Sequence, residues 1–225
     1  MTPEGFTGRK TARGLLYAAA GDEAEILRWG LDRREAWEVL LATGDAETGR
    51  GASAILPRSP GPAWRLKRMR RGGLTARLWR DRYPSAGRLV AMLAASAEAR
   101  RRGIATPRAV ALLVERDPFP LFSAFLATEE VPNAEDLARR ARRGAMTEHD
   151  VAEAKRAVVR MHDAGMDHPD LNLGNILVSP AGVQVVDLDR VRFVNGPLTA
   201  TDRERAYRRL ARSCAKITGS EGPWT

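Results

Sequence analysis

The sequence predicts an α+β chain in two lobes, a strand-rich N-terminal lobe over residues 1–130 and a mainly helical C-terminal lobe over 131–225. Three observations predict it. Short apolar runs punctuated by Gly and Pro dominate the first lobe, as strands and turns require. Apolar residues recur at helical spacing in the second: Val151, Ala154, Val158 and Met161, then Tyr207, Leu210, Cys214 and Ile217. Between those two helices a polar loop containing Asp170 and Asn175 opens into a tight hairpin, with Asp187 at its far end.

The elements follow in chain order. Residues 15–20 and 24–29 are short apolar-rich runs broken by Gly21-Asp22, and 33–42 reads as a helix ended at Gly44. Gly49-Arg50-Gly51 is a glycine-rich turn leading into a strand-like run that reaches Pro57. Residues 63–69 alternate as a strand and contain Lys67. Arg65 and Arg68 flank that lysine and are expected on a different face from it. A helix over 89–102 stops at Gly103, where a left-handed terminating residue belongs. Residues 109–115 and 121–128 read as two strands, and 128–133 as a connector between lobes.

In the second lobe, Thr147 caps a helix with Asp150 in its first turn, and that helix ends near Gly165. The loop 168–174 precedes strands 176–178 and 183–186, joined by Ser179-Pro180-Ala181-Gly182. Thr201-Asp202-Arg203-Glu204 has the pattern of a capping box opening the last helix.

Composition bounds the function. A chain of 225 residues, 44% hydrophobic and 29% charged, can bury a core. Its net charge of +9, nearly all from arginine, points to an anionic partner or to an arginine-biased genome with the charge solvated. The single cysteine, Cys214, excludes an internal disulfide. The first ten residues hold no apolar signal core, and apolar runs such as 89–95 fall far short of the ~18 residues a spanning helix needs. The expectation is a cytoplasmic protein, with peripheral membrane contact open.

The chemistry is concentrated in His168-Pro169-Asp170-Leu171-Asn172-Leu173-Gly174-Asn175 and in Asp187. A carboxylate, an amide five residues later and a second carboxylate at a strand end suit phosphoryl transfer. Asp170 can orient a substrate hydroxyl or accept its proton, while Asn175 and Asp187 offer hard oxygens to Mg²⁺ on a nucleoside triphosphate. His168 is read as structural, bonding the loop to backbone near Asp187, and His162 as a packing residue. Lys67 is the candidate cation for the nucleotide phosphates, and Gly49 and Gly51 are candidates to cover them with backbone N–H groups. The basic run Arg70-Arg71-Gly72-Gly73, followed by Arg77, Trp79, Arg80 and Arg82, reads as an anion clamp for a phosphorylated substrate, as a contact with an acidic membrane, or as a solvated loop. Asp189 is a secondary metal candidate or an arginine partner.

These residues resemble the protein-kinase-like fold in its lipopolysaccharide kinase family, and within it the 3-deoxy-D-manno-octulosonic acid (Kdo) kinases. The likeness is in Gly49-Arg50-Gly51, Arg70-Arg71-Gly72-Gly73, Arg82-Tyr83, the stretch 161–177, Asp187-Leu188-Asp189-Arg190 and Arg209-Leu210-Ala211-Arg212-Ser213, and it extends from about Arg50 to Lys216. The resemblance implies ATP and Mg²⁺ as cofactors, Asp170 as catalytic base, Asn175 and Asp187 as metal ligands and Lys67 as phosphate-binding cation. It implies nucleotide between the lobes, with 128–133 as hinge. The implied acceptor is an anionic inner-membrane glycolipid, lipid A bearing Kdo, with no nucleic-acid partner. Two positions depart from the family pattern. Leu188 replaces an aromatic residue, and Met92 stands where a glutamate partner for the lysine is expected; Glu98 is the only acid of that helix. The departure at Met92 leaves a pseudokinase open, and a kinase of another small alcohol, such as an aminoglycoside or choline, is a further alternative.

Overall fold

A computed structural model describes residues 2–44, 53–69, 82–117 and 121–224. Gly49, Arg50, Gly51, the Arg70-Arg71-Gly72-Gly73 run, Arg77, Trp79 and Arg80 lie outside the described residues. The chain forms two compact units. The first comprises Met1–Ala97 and Arg108–Glu130, the second Glu98–Pro107 and Val131–Thr225.

The first unit is built on an antiparallel six-stranded sheet among the described residues. Its strands are β1 (Phe6–Lys10), β2 (Gly14–Ala19), β3 (Ser53–Leu56), β4 (Trp64–Arg68), β5 (Ala109–Arg116) and β6 (Phe122–Glu129), in the order β1-β2-β5-β6-β4-β3. Two-residue alternation sends side chains to two separate cores. On one face Leu16, Leu66, Val110, Leu113 and Phe125 pack with Ile26 of α1 (Glu23–Arg28) and with Trp37 and Leu41 of α2 (Arg34–Ala42). Trp37 is fully buried, its ring 5.7 Å from that of Phe125, and its Nε1–H donates to the Leu31 carbonyl at 2.8 Å. On the other face Leu112, Ala124 and Leu126 meet Leu89, Met92 and Leu93 of α3 (Ala86–Arg101). The sequence reading anticipates α3 but not the hairpin partner β1, whose residues are mostly exposed and so lack an apolar signature.

Lys67 sits directly across from Leu126 in the β4–β6 pairing, which places it on the face that α3 covers. Arg65 lies on this same face, because residues two apart in a strand share a side. That corrects the expectation that it would differ. Arg65 is already engaged: Nε and Nη2 donate to both carboxylate oxygens of Glu130, at 2.5 and 2.7 Å, and Nη1 donates to Ser53 at 3.2 Å. Arg68 turns to the opposite face, 5.6 Å from the Phe125 ring centroid.

In the second unit, α4 (Leu137–Arg142), α5 (Glu148–Asp163) and α6 (Ala200–Thr218) surround a small sheet. The hairpin of β9 (Ile176–Ser179) and β10 (Gly182–Val185) is joined by β7 (Glu135–Asp136), and β8 (Met166–Asp167) pairs with β11 (Arg192–Phe193). Thr147 caps α5 as read from sequence. Its hydroxyl accepts from the Asp150 N–H at 3.1 Å, and the Asp150 carboxylate accepts from the Thr147 N–H at 3.0 Å. The last helix begins earlier than predicted, capped by Thr199 rather than Thr201. The chain is pinned just before Thr199, because Leu198 is buried and its N–H donates to the His162 carbonyl at 2.9 Å. Thr199 is therefore the first hydroxyl able to meet the helix start.

His162 packs as anticipated. It is fully buried and meets Tyr207 edge-on at 5.9 Å, and neither ring nitrogen has a hydrogen-bond partner among the described residues. Burial first, and the nearby Arg203 charge second, push its pKa down from 6.5 to about 4. The folded chain thus resists a proton that the unfolded chain accepts near pH 6.5. Stability is full above that value and falls as pH drops from about 6.5 toward 4. Burial pushes His168 the same way. Thermal melts should show a lower melting temperature at pH 5 than at pH 7.5, and His162→Leu should flatten part of that slope. An unchanged slope in the variant would assign the acid sensitivity elsewhere.

Candidate active site

The loop begins where α5 stops. Gly165 adopts φ +76°, and a Cβ there would lie 2.4 Å from the Gly196 carbonyl oxygen and 2.6 Å from that of Val194. Only glycine allows both the left-handed turn and this approach. Nη1 of Arg102 locks the same corner, donating to the Ala164 and Val194 carbonyls at 2.8 and 2.7 Å. The β8–β11 pairing follows immediately, Met166 opposite Phe193 and Asp167 opposite Arg192. Gly165→Ala should destabilise the chain by roughly 1–3 kcal/mol or more in denaturant melts, with activity falling as this corner shifts. Wild-type stability in that variant would refute the close approach.

Beyond β8 the loop is tied internally. Nε2 of buried His168 donates to the Val186 carbonyl at 3.1 Å, the structural role read from sequence. Since a carbonyl only accepts, this bond assigns the proton to Nε2. The Asp170 carbonyl accepts from Asn172 Nδ2 at 2.7 Å and from Asn175 Nδ2 at 3.0 Å. Asn172 Oδ1 accepts from the Gly174 N–H at 2.9 Å and caps the 3₁₀ turn Leu173–Asn175. Buried Leu171 and Leu173 anchor the loop. These bonds fix the Asp170 backbone while leaving its carboxylate about half exposed.

Asn175 and Asp187 meet at the open end of the β9–β10 hairpin. The register Ile176 opposite Val185 continues one step, with the Val186 N–H donating to the Asn175 carbonyl at 3.0 Å. Asp187 is the next residue. It sits in the left-handed region at φ 68°, ψ 56°, a conformation that costs most side chains roughly 1–2 kcal/mol and that Asp tolerates better than most. Among the described residues its carboxylate has no hydrogen bond or ion pair, and the side-chain oxygen of Asn175 accepts none. No group of three or more His, Cys, Asp or Glu side chains suited to a metal occurs among the described residues. A two-oxygen set fits Mg²⁺, which keeps waters and takes phosphate oxygens for the rest of its shell.

Further residues brace this loop. From α6, Nη2 of Arg209 donates to the His168 carbonyl at 3.2 Å, and Ser213 Oγ accepts from the Leu173 N–H at 3.2 Å. Their four-residue spacing puts both on one helix face, a signal visible in the sequence. Arg190 closes the 3₁₀ turn Leu188–Arg190, and its Nη1 donates to Asp170 Oδ2 at 3.1 Å. The sequence reading missed this ion pair because its partners are twenty residues apart. Leu188 is buried in that turn, so the position takes an aliphatic side chain as an anchor.

Lys67 belongs to the first unit. No acid among the described residues pairs with it. Met92 is buried in the core beside α3, and Glu98 is held by Arg101 at 2.7 Å and Arg102 at 2.6 Å. Hydrogen bonds from these two arginines lower the Glu98 pKa to about 2.

Comparison with known proteins agrees with this architecture. The model of the Lipopolysaccharide kinase (Kdo/WaaP) family matches residues 38–225. A 3-deoxy-D-manno-octulosonic acid kinase of Xanthomonas campestris pv. campestris (strain B100) is 34% identical over 227 residues, covering 96% of this chain and 87% of that one. The protein of the same name from Xylella fastidiosa (strain M12) is 36% identical over 189 residues, covering 82% and 74%. Among solved structures, "WaaP in complex with acyl carrier protein" superposes with a TM-score of 0.51 at 22% identity, covering 90% of this chain and 82% of that one, which supports the kinase-like fold. With the loop, the hairpin and these matches together, the chain is a phosphotransferase belonging to the lipopolysaccharide kinase (Kdo/WaaP) family.

Proposed function

We propose that the protein transfers the γ-phosphoryl group of ATP to a hydroxyl of Kdo carried on lipid A. The observation supporting this most directly is the convergence of Asp170, Asn175 and Asp187 at one hairpin end, held by the His168–Val186 bond. The names of the relatives supply the acceptor.

In this reading Asp170 receives the acceptor proton. The hydroxyl oxygen forms a bond to the γ-phosphorus while the bond from that phosphorus to the bridging oxygen of ADP breaks. The bonding pair leaves with ADP, and the proton passes to the Asp170 carboxylate. Asn175 and Asp187 would hold Mg²⁺, which supplies charge neutralisation at the phosphate oxygens when bound. Lys67 serves as the phosphate-binding cation. No chemistry beyond positioning and charge stabilisation is required.

The net charge of +9 supports peripheral attraction to an anionic membrane surface bearing the acceptor. No helix among the described residues is long and apolar enough to cross a membrane.

One observation favours a second reading, a nucleotide-binding protein without turnover: α3 supplies no acid to Lys67. Labelled ATP, Mg²⁺ and Kdo-bearing lipid A decide between them. Incorporation of label into the lipid supports the kinase. Mg-dependent ATP binding with no incorporation into that lipid or a panel of core sugars selects the second reading.

A further inference from the structure

We propose that Arg190 is a specificity-determining residue that holds the acceptor by a carboxylate, so that the site selects an acidic sugar. This deepens the function proposed above and rests on it.

The argument begins with placement. Asp187, in its left-handed conformation, turns the chain into the 3₁₀ turn Leu188–Arg190, and buried Leu188 fastens that turn. On the far side, β11 pairs with β8, the strand that leads into the loop. Arg190 is thus held between two fixed points on the same side as Asp170. Its Nη1 lies 3.1 Å from Asp170 Oδ2.

That contact uses one donor of a guanidinium that has five. Its other N–H groups form no hydrogen bond among the described residues, and the side chain is 55% exposed. An acceptor hydroxyl must come within about 2.6–3.2 Å of the Asp170 carboxylate to deliver its proton. A sugar that does so can bring a neighbouring substituent beside Arg190, whose Nη1 lies 3.1 Å from that carboxylate.

Charge then decides what Arg190 is suited to meet. Asp170 and Asp187 place two carboxylates at this end of the hairpin, and an anionic sugar set against them is repelled unless a cation receives it. The relatives act on an octulosonic acid, whose carboxylate is such an anion. Arginine matches a carboxylate with two parallel N–H donors, which lysine does not. Arg209 of α6 is already engaged, donating to the His168 carbonyl.

The experiment compares Kdo-bearing lipid A with the same acceptor converted to its neutral carboxamide, using wild type, Arg190→Gln and Arg190→Lys. Loss of a charged hydrogen-bonded pair should raise the acceptor KM of Arg190→Gln by ~10–100-fold, with KM for ATP unchanged. Wild type should lose a similar factor on passing from acid to amide, while Arg190→Gln treats both acceptors alike. Arg190→Lys should recover only part of the loss. An equal drop in kcat on both acceptors, with acceptor KM intact, overturns the proposal and makes Arg190 a residue that only orients Asp170. Phosphorylation of neither acceptor by wild type overturns the acceptor assignment itself, and this inference with it. Melting curves of the variants check that each folds, as expected for an exposed side chain.

Discussion

Asp170→Ala should abolish phosphoryl transfer, lowering kcat by ~10²–10⁴-fold, the range associated with losing a positioned general base. Mg-ATP affinity should change little. The structure explains why these two effects separate. The hydrogen bonds from Asn172 and Asn175 reach the Asp170 carbonyl, not its carboxylate. Among the described residues, truncating the side chain removes the ion pair with Arg190 and leaves the loop tied. Initial rates with labelled ATP, beside calorimetric titration of Mg-ATP, measure both quantities. Transfer above about a tenth of the wild-type rate would overturn the proposed role of Asp170 as base.

Asp187 offers the second large effect, because there the proposed metal role and backbone comfort oppose each other. Its φ of 68° is a conformation glycine adopts freely. Asp187→Gly should therefore melt no lower than wild type. Asp187→Ala keeps the left-handed backbone without the local hydrogen-bonding ability of Asp and should be less stable by about 1 kcal/mol. Both should lose transfer by roughly 10³-fold, since each removes an oxygen proposed to hold the metal at the phosphates. The decisive readout is Mg-dependence: ATP binding by the variants should respond weakly to Mg²⁺. Full Mg-dependent binding in Asp187→Gly would move the metal role to another residue. A glycine variant less stable than the alanine variant would show that the aspartate backbone is not strained.

The two carboxylates and the amide of the candidate site were legible as one cluster because they are close in sequence. Asp170 and Asn175 share one loop, and Asp187 follows one hairpin later, so local rules sufficed. The helix α5 was legible for the same reason, with Thr147 and Asp150 three residues apart. The start of α6 is ambiguous in the sequence because both Thr199 and Thr201 are capping residues by type. The choice depends on burial of Leu198 and its bond to the His162 carbonyl, a contact from another element. The face of Arg65 is contained in strand periodicity, since it stands two positions from Lys67 in β4.

By itself, the sequence determined the α+β class, most strands and helices, and the loop whose residue types suit phosphoryl transfer. Periodicity, capping and turn chemistry act over a few residues, and each is written in adjacent positions. Only the tertiary structure decided which side chains meet across long separations. It set Arg190 against Asp170, Arg209 and Ser213 against the loop, and Arg102 against the turn at Gly165. It also showed that Glu98 is held by Arg101 and Arg102, with Met92 buried in the core. Such pairings depend on strand register and helix packing, which follow from burying many apolar side chains at once, and no short segment encodes that collective choice.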